Sequence, residues 1–453
     1  MDFDPLIGLD EDYLLERESR LSRSLLWSLQ RRFFEQNPQG FADGSVPLYA
    51  TTNAFIAQSY AQLIHSFALD CGVPGPVTII ELGAGHGRFG FLCLTLLRER
   101  LRRLGMRLPL RYVMTDFTEH SLDAWCAHPQ LAAMLADGSL DMACFDVEQD
   151  EGLNLRLSKT RIDALQPCGP LVVIANYVFD GLIQDAYRIR DGSLEEGRVS
   201  LVADAPHPNI AAPGLLATLS AIFTFSPLSD AGIYPESELN QILRFYMENL
   251  GDGAFCLPTG AVRCLQRMRG LSTRPVLVLS SDKAHNHLNQ LQGQSAPMVA
   301  THGSISMMTN HHAMGRYVTG RGGEVLMTSS RSGELETAAF MLGGSAGERL
   351  SMAFDDVIER FSPADFLELS QLGSPGSLAG CLKMLRLASW DPKWLCELIP
   401  VLTGGLSGAS REQRAELLAG LVAASALVFP IGGSDRSSSI DAFREVLAAT
   451  SAS

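Results

Sequence analysis

Pro76-Val77-Thr78-Ile79-Ile80-Glu81-Leu82-Gly83-Ala84-Gly85-His86-Gly87-Arg88 is the stretch on which the rest of this chain hangs. A short β-branched run ends in a carboxylate, three glycines follow at alternate positions, and an apolar helical pattern begins at Phe89. That order reads as a strand, a tight turn and a helix N-terminus. Glycine is needed where backbone takes positive φ or must approach a ligand closely. The spacing is expected to separate two classes of nucleotide site. A dinucleotide fingerprint asks for G-x-G-x-x-G. Counted from Gly83, its third glycine falls on Arg88, and the pattern is G-x-G-x-G. An ordinary strand-to-helix turn is the plain alternative. The acid and strand in front and the helix behind favour a ligand loop.

Outward from this loop, strands and helices alternate, the signature of a parallel sheet with crossover helices. A helix over 89–104 precedes a second strand over 108–114, which ends in Thr115-Asp116. A helix over 121–135 and a third strand over 140–145 lead to Asp146. A fourth strand over 170–175 runs into Asn176-Tyr177-Val178-Phe179-Asp180, and a fifth over 274–279 into Ser280-Ser281-Asp282. Segments 302–308 and 324–328 are expected to pair antiparallel and close the sheet. Upstream, residues 11–35 and 53–69 carry helical periodicity. An extended polar-aromatic segment over 46–53 lies between them, and a Gly/Pro loop over 72–76 follows.

Glu81, Asp116, Asp146 and Asp180 all fall at or just beyond the C-terminal ends of successive strands. In open α/β sheets the ligand crevice lies outside those ends. An acid after the second strand suits a ribose diol, because a carboxylate accepts two hydroxyl hydrogen bonds. An acid after the third suits the exocyclic amine of adenine. Any one of them alone is equally a helix cap or a turn residue; their recurrence strand after strand is the signal, strongest for Asp116 and Asp146.

From about residue 47 to 330 the chain resembles the class I S-adenosylmethionine (SAM)-dependent methyltransferases, and within them the MidA-like branch. That branch includes arginine methyltransferases assisting assembly of mitochondrial complex I. Tyr49-Ala50-Thr51-Thr52, the loop from Glu81 to Gly87, Asp116, and Ile174-Ala175-Asn176-Tyr177-Val178-Phe179-Asp180 carry the resemblance. It implies a Rossmann-like α/β fold: a mainly parallel sheet with a closing antiparallel hairpin, N-terminal helices and a C-terminal helical domain. It implies a SAM site built from Glu81, Gly83, Ala84, Gly85, Gly87, Asp116, Phe117, Asp146 and Val147, with Thr52 and Asn176 contributing. The substrate entrance would lie near Asn176 and Asp180. The chain departs from the branch at Tyr177, where the branch has glutamate, and at Gly181-Leu182-Ile183, where it has Ala-Leu-Pro. Arginine methylation relies on carboxylates that grip the guanidinium. With that glutamate missing, Asp180, Asp185 or Glu236 would have to serve.

Residues 181–273 form a long insertion between the fourth and fifth strands. Within it, Tyr187 to Leu201 reads as a hairpin around Asp191-Gly192. Its position overhangs the crevice, so it is expected either to select substrate or to cover the sheet edge. Three histidines, His302, His311 and His312, crowd one segment, but no acid or cysteine completes a metal set and no metal is expected. His311 or His312 could act at the substrate end of the sheet. Past about 335 the composition shifts to Leu, Ala, Gly and Ser with helical patterns. The expected division is an N-terminal helical segment over 1–75, a methyltransferase domain over 76–335 and a helical domain over 336–453, the last open to a protein partner.

The formal charge of −14 over 453 residues argues against nucleic acid as a partner. The run of arginines from Arg98 to Arg111 reads as the solvated, dipole-matched end of a helix. Nine cysteines with no C-x-x-C pair, an acidic N-terminus, and no apolar run long enough to span a bilayer point to a cytoplasmic protein away from membranes. The expected function is methyl transfer from SAM to a protein side chain or small molecule, Asp180 acting as base and Asn176 orienting the acceptor. The acceptor itself is not identified. A non-catalytic SAM-binding scaffold or assembly factor, and a nucleotide-dependent oxidoreductase, are the rivals.

Overall fold

Val77–Glu81 (β1) is buried along its whole length as an inner strand of a seven-stranded sheet. The other strands are Leu110–Asp116 (β2), Leu140–Cys144 (β3), Leu171–Ile174 (β4), Val276–Lys283 (β5), Glu324–Met327 (β6) and Leu335–Leu342 (β7). Their spatial order is β3-β2-β1-β4-β5-β7-β6. Pairings from β3 through β5 are parallel, while β7 runs antiparallel to both β5 and β6. This is a Rossmann-like sheet with a closing antiparallel hairpin. The computed structural model describes residues 9–36, 49–72, 75–163, 169–212, 214–228, 232–301, 304–329, 334–431 and residue 446. His302, Cys168 and residues 46–48 of the expected extended segment lie outside them.

The strands read as apolar runs because both faces of the sheet are covered. Ile79, Val172 and Leu277 face one cluster with helix Ala54–Cys71; Ile80, Val173 and Val278 face another with Tyr246, Leu265 and Met314. Each such aliphatic side chain contributes about 1.5–3 kcal/mol. The helix Ala54–Cys71 is capped by Asn53, whose side chain accepts the Ile56 amide, and ends on Gly72 in the left-handed region. Helices Glu348–Phe354, Pro363–Gln371, Leu378–Leu387, Pro392–Gly405 and Arg411–Ser425 add Leu350, Phe366, Leu382, Leu398 and Leu421 to that same cluster. No helix among the described residues is long and apolar enough to cross a membrane.

Three expectations need correcting. The strand that closes the sheet with β6 is β7, not 302–308; Ile305–Met307 pairs instead with Val299–Thr301 in a separate ribbon. All eight residues of β7 are buried, so it carries no two-residue alternation. Its Ala-rich sequence blended into the helical region beyond it. Within 11–35, only Leu25–Gln36 (α1) is a regular α-helix; Leu14–Arg20 is a strand paired with Ser193–Val202. Finally, the single helix expected over 121–135 is two, Glu119–Ala127 and Ala132–Ala136; the insertion keeps its expected hairpin and extends it into a sheet of its own. Asp185–Arg190, Ser193–Val202, Ser220–Pro227 and Gly253–Leu257 join Leu14–Arg20 in five antiparallel strands. The Asp191-Gly192 turn has positive φ at both residues (50° and 72°), the twist a two-residue hairpin wants.

Candidate functional site

The glycine loop leaves β1 with Gly83, Gly85 and Gly87 at φ of 59°, 53° and 84°. Any other residue would be strained at these angles. Ala84 N–H donates to the Thr115 carbonyl at 2.8 Å, and the Trp125 indole N–H donates to the Gly85 carbonyl at 2.8 Å. A Cβ on Gly87, the N-cap of helix Arg88–Arg103, would stand 3.0 Å from the Trp125 ring. The loop is therefore pinned to β2 and open toward the crevice at Gly83 and Gly85.

Glu81 does not reach that crevice. Its carboxyl turns under the loop, accepts the Tyr112 hydroxyl at 2.9 Å, and is pushed by burial up to about 8. The space it fills is left by Gly90, whose Cβ would lie 2.7 Å from Glu81 Oε2. Gly90 also changes the spacing argument: counted from Gly85, residues 85, 87 and 90 do satisfy G-x-G-x-x-G. Loop spacing thus leaves both nucleotide classes open. Strand order separates them, because a dinucleotide fold runs 3-2-1-4-5-6 in parallel and here the reversed β7 sits between β5 and β6.

A crevice of about 590 Å³ opens at the C-terminal ends of the strands. Gly83, Gly85, Asp116, Phe117, Asp146, Val147 and Asp180 line it; Glu81, Ala84, Gly87, Thr52 and Asn176 do not. Asp116, at the end of β2, accepts the amide and the hydroxyl of Thr118, both at 3.1 Å. Burial raises its pKa and these bonds oppose the rise. Asp146, just past β3, accepts the Glu148 amide at 2.9 Å and pairs with Arg31 at 2.6 Å.

Asn176 is a fastener rather than a contact. Its Oδ1 accepts the Tyr60 hydroxyl at 2.8 Å and the Ser281 amide at 3.0 Å, while its Nδ2 donates to the Thr51 carbonyl. Thr52 lies in the turn that leads to the Asn53 cap. Between the two, the chain after β4 is locked to β5, and Tyr177 is held at φ 50°, where a bulky side chain is an outlier. Its ring lines the crevice beside Asp180 and Lys283.

Asp180 has a neighbour the sequence reading passed over. Asp282, at the end of β5 and fully buried, accepts the amides of Phe179 and Asp180 at 3.0 and 3.2 Å. Burial raises both carboxyls; Asp282 rises further with the like charge of Asp180 beside it, and the Lys283 ammonium pulls Asp180 back. Burial and the neighbouring like charge both push the pair toward its protonated form. The other carboxylates named for the acceptor are engaged elsewhere. Asp185 is gripped by Arg20 at 2.7 and 3.0 Å and by the Tyr234 hydroxyl, and Glu236 by Arg263 at 2.9 Å. The histidines are engaged too. His311, pushed down to about 3 by burial, bonds Asn286, and His312 bonds the Tyr246 hydroxyl.

The roof was not legible at all. α1 lies over the crevice and presents Trp27, Gln30, Arg31 and Phe34 to it. Gln30 holds it there by accepting the Ile305 amide at 3.0 Å and donating to the Gly181 carbonyl. At one wall His128 stacks on Phe429, ring centroids 3.9 Å apart. Asp282 could have been found by the rule that found Asp116 and Asp146. The roof contacts span more than a hundred residues and leave no local pattern.

No family model matches the chain, and no curated protein does either. Among solved structures it is similar to an uncharacterised protein from Burkholderia thailandensis, at 14% identity and TM-score 0.46 over 74% of this chain and 90% of that one. A candidate methyl transferase of the same superfamily and organism, bound to S-adenosyl-homocysteine, gives TM-score 0.47 at 14% identity over the same shares. The N-methyltransferase NodS from Bradyrhizobium japonicum WM9, in complex with S-adenosyl-homocysteine, gives 0.29 at 9% identity over 70% and 98%. Likenesses this distant assign no function.

Proposed function

We propose that the chain is a SAM-dependent methyltransferase of the class I type, similar to the MidA-like branch. The observation that carries the reading is the pairing of the positive-φ glycine loop with Asp116, both facing one crevice from adjacent strands. A loop held open by glycines lets a ligand approach the backbone, and Asp116 can accept the two hydroxyls of a ribose. Phe117 and Val147 offer apolar contacts for a base and Asp146 an acceptor for its amine. The crevice volume is in the range of small-molecule sites.

SAM, when bound, supplies a methyl group already activated on a sulfonium. The protein's own task is to orient the acceptor, exclude water and take up a proton. The roof of α1 excludes water. Asp180 is placed to receive the acceptor's proton at its carboxylate, and Asp282 and Lys283 set how readily it does so. Asp185 and Glu236 are engaged elsewhere, while Asp180 and Glu148 line the crevice beside Gly181 to Ile183. A carboxylate here can take a proton from a hydroxyl or amine acceptor or pair its two oxygens with a guanidinium.

Calorimetric titration with SAM and S-adenosyl-homocysteine tests the reading. Wild-type protein is expected to bind both, and Asp116→Ala to lose about 2–3 kcal/mol of that affinity. Asp180→Asn should keep the affinity and lose methyl transfer to acceptors in cell extract. Absence of binding by the wild-type protein would remove the methyltransferase assignment.

A further inference from the structure

Arg31 occupies the two contacts an adenine would need. Its guanidinium carbon lies 5.0 Å over the Phe117 ring, and its Nη1 donates to Asp146 Oδ2 at 2.6 Å. Phe117 directly follows Asp116, so a nucleoside whose ribose is held by Asp116 has its base within reach of both groups. A purine base would present a flat face to the ring and an exocyclic N–H to the carboxylate. A guanidinium is also flat, stacks on aromatic faces and donates N–H to carboxylates.

We infer that Arg31 is a resident stand-in for the adenine, seated in the base subsite from the roof helix and displaced when the nucleoside enters. This rests on the SAM reading above. Arg31 can leave without unpacking the roof: its side chain is 40% exposed, whereas α1 is anchored through buried Leu26 and Leu29. A second partner awaits it, since Glu35, one turn on, already pairs with its Nε at 3.2 Å. Asp146 also keeps the Glu148 amide and the Gln149 side-chain amide at 3.0 Å, so its carboxylate stays oriented when Arg31 goes. The arrangement would keep a stacking face and a desolvated carboxylate covered until a ligand bearing a ribose and a base together displaces the cation.

The test is calorimetric titration of S-adenosyl-homocysteine into wild-type, Arg31→Ala and Arg31→Gln proteins at low and high salt. Competition from the cation predicts about five- to tenfold tighter binding by both variants. It also predicts that raising salt from about 0.05 to 0.5 M tightens binding to wild type and leaves Arg31→Ala unchanged. Equal or weaker binding by the variants, with no salt effect on wild type, would make Arg31 part of the binding wall and overturn the inference, while the SAM reading stood. Binding by none of the three would overturn both. The salt comparison uses wild-type protein, so a poorly folded variant does not leave the question open.

Discussion

Asp282 has no solvent exposure, and its carboxyl group accepts the amide of Asp180 at 3.2 Å. Each side chain follows a different strand of the parallel sheet, β4 in one case and β5 in the other, and they meet only because those strands are neighbours. Their pKa values both rise, with burial the larger cause. A carboxyl raised in the folded state binds its proton more tightly there than in the unfolded chain. Its stabilising effect is complete below the unfolded pKa and fades as pH climbs through the folded one. Asp282→Asn should therefore match wild type in thermal melts near pH 4 and become progressively more stable than it from about pH 5 to 8. The asparagine keeps an oxygen for the two amides. Parallel melting curves across that range would show that the pair carries no excess proton.

Glu81 obeys the same sign rule in a different setting. It is fully buried, bonded to Tyr112, and raised to about 8 by burial, with that bond opposing the rise. Between its ordinary value and about 8 the unfolded chain gives up a proton the folded one keeps, so stability falls with rising pH by at most a few kcal/mol. Glu81→Gln retains an acceptor for the Tyr112 hydroxyl and removes the titration. Its melting temperature should depend less on pH, with the largest gain over wild type at pH 8. Because Glu81 does not line the crevice, S-adenosyl-homocysteine affinity should change less than about threefold, near the level of a single weak contact. A large loss of affinity would mean the carboxyl reaches the ligand after all.

Gly90 explains why Glu81 can lie where it does. Alanine is the better helix former by about 1 kcal/mol, yet here a Cβ would stand 2.7 Å from Glu81 Oε2 and 3.0 Å from both Met114 Sδ and Tyr112 Cε1. Overpacking of this kind costs about 1–3 kcal/mol. Gly90→Ala is expected to lower the denaturation midpoint despite its helix propensity. Combining it with Glu81→Ala, which empties the space, should recover most of the loss. A stabilised single variant would sink this account of the glycine.

Much of the sheet was legible because its chemistry is local. Strand, glycine turn and helix start are written within thirteen residues, and Asp116 and Asp146 follow strands whose apolar runs are clear. β7 was missed because burial on both faces removes the alternation that marks a strand, and the small residues inside it resemble a helix. Leu14–Arg20 was missed because its half-buried pattern is continuous with that of the helix after it. The site divides the same way. Carboxylates at strand ends were found, while Asn176, chosen by resemblance, turned out to be held by Tyr60, Ser281 and Thr51. Arg31, Trp27 and Phe34 reach the crevice through a tertiary placement of α1 that no spacing encodes.

The roof and the floor of the crevice are drawn from separate parts of the chain. The floor comes from the strand ends and loops between residues 83 and 147, and the roof from α1, held by Gln30 on Ile305, with the strand before it tied by Arg20 to Asp185 of the insertion. Substitutions in the roof leave the backbone of the strand ends in place, although at Arg31 they reach Asp146 and Phe117. A lineage could therefore retune how its crevice is covered by drift in α1 and the insertion while the strand ends stayed constant. Descendants of one such chain would then look alike in the loop after β1 and unlike in α1.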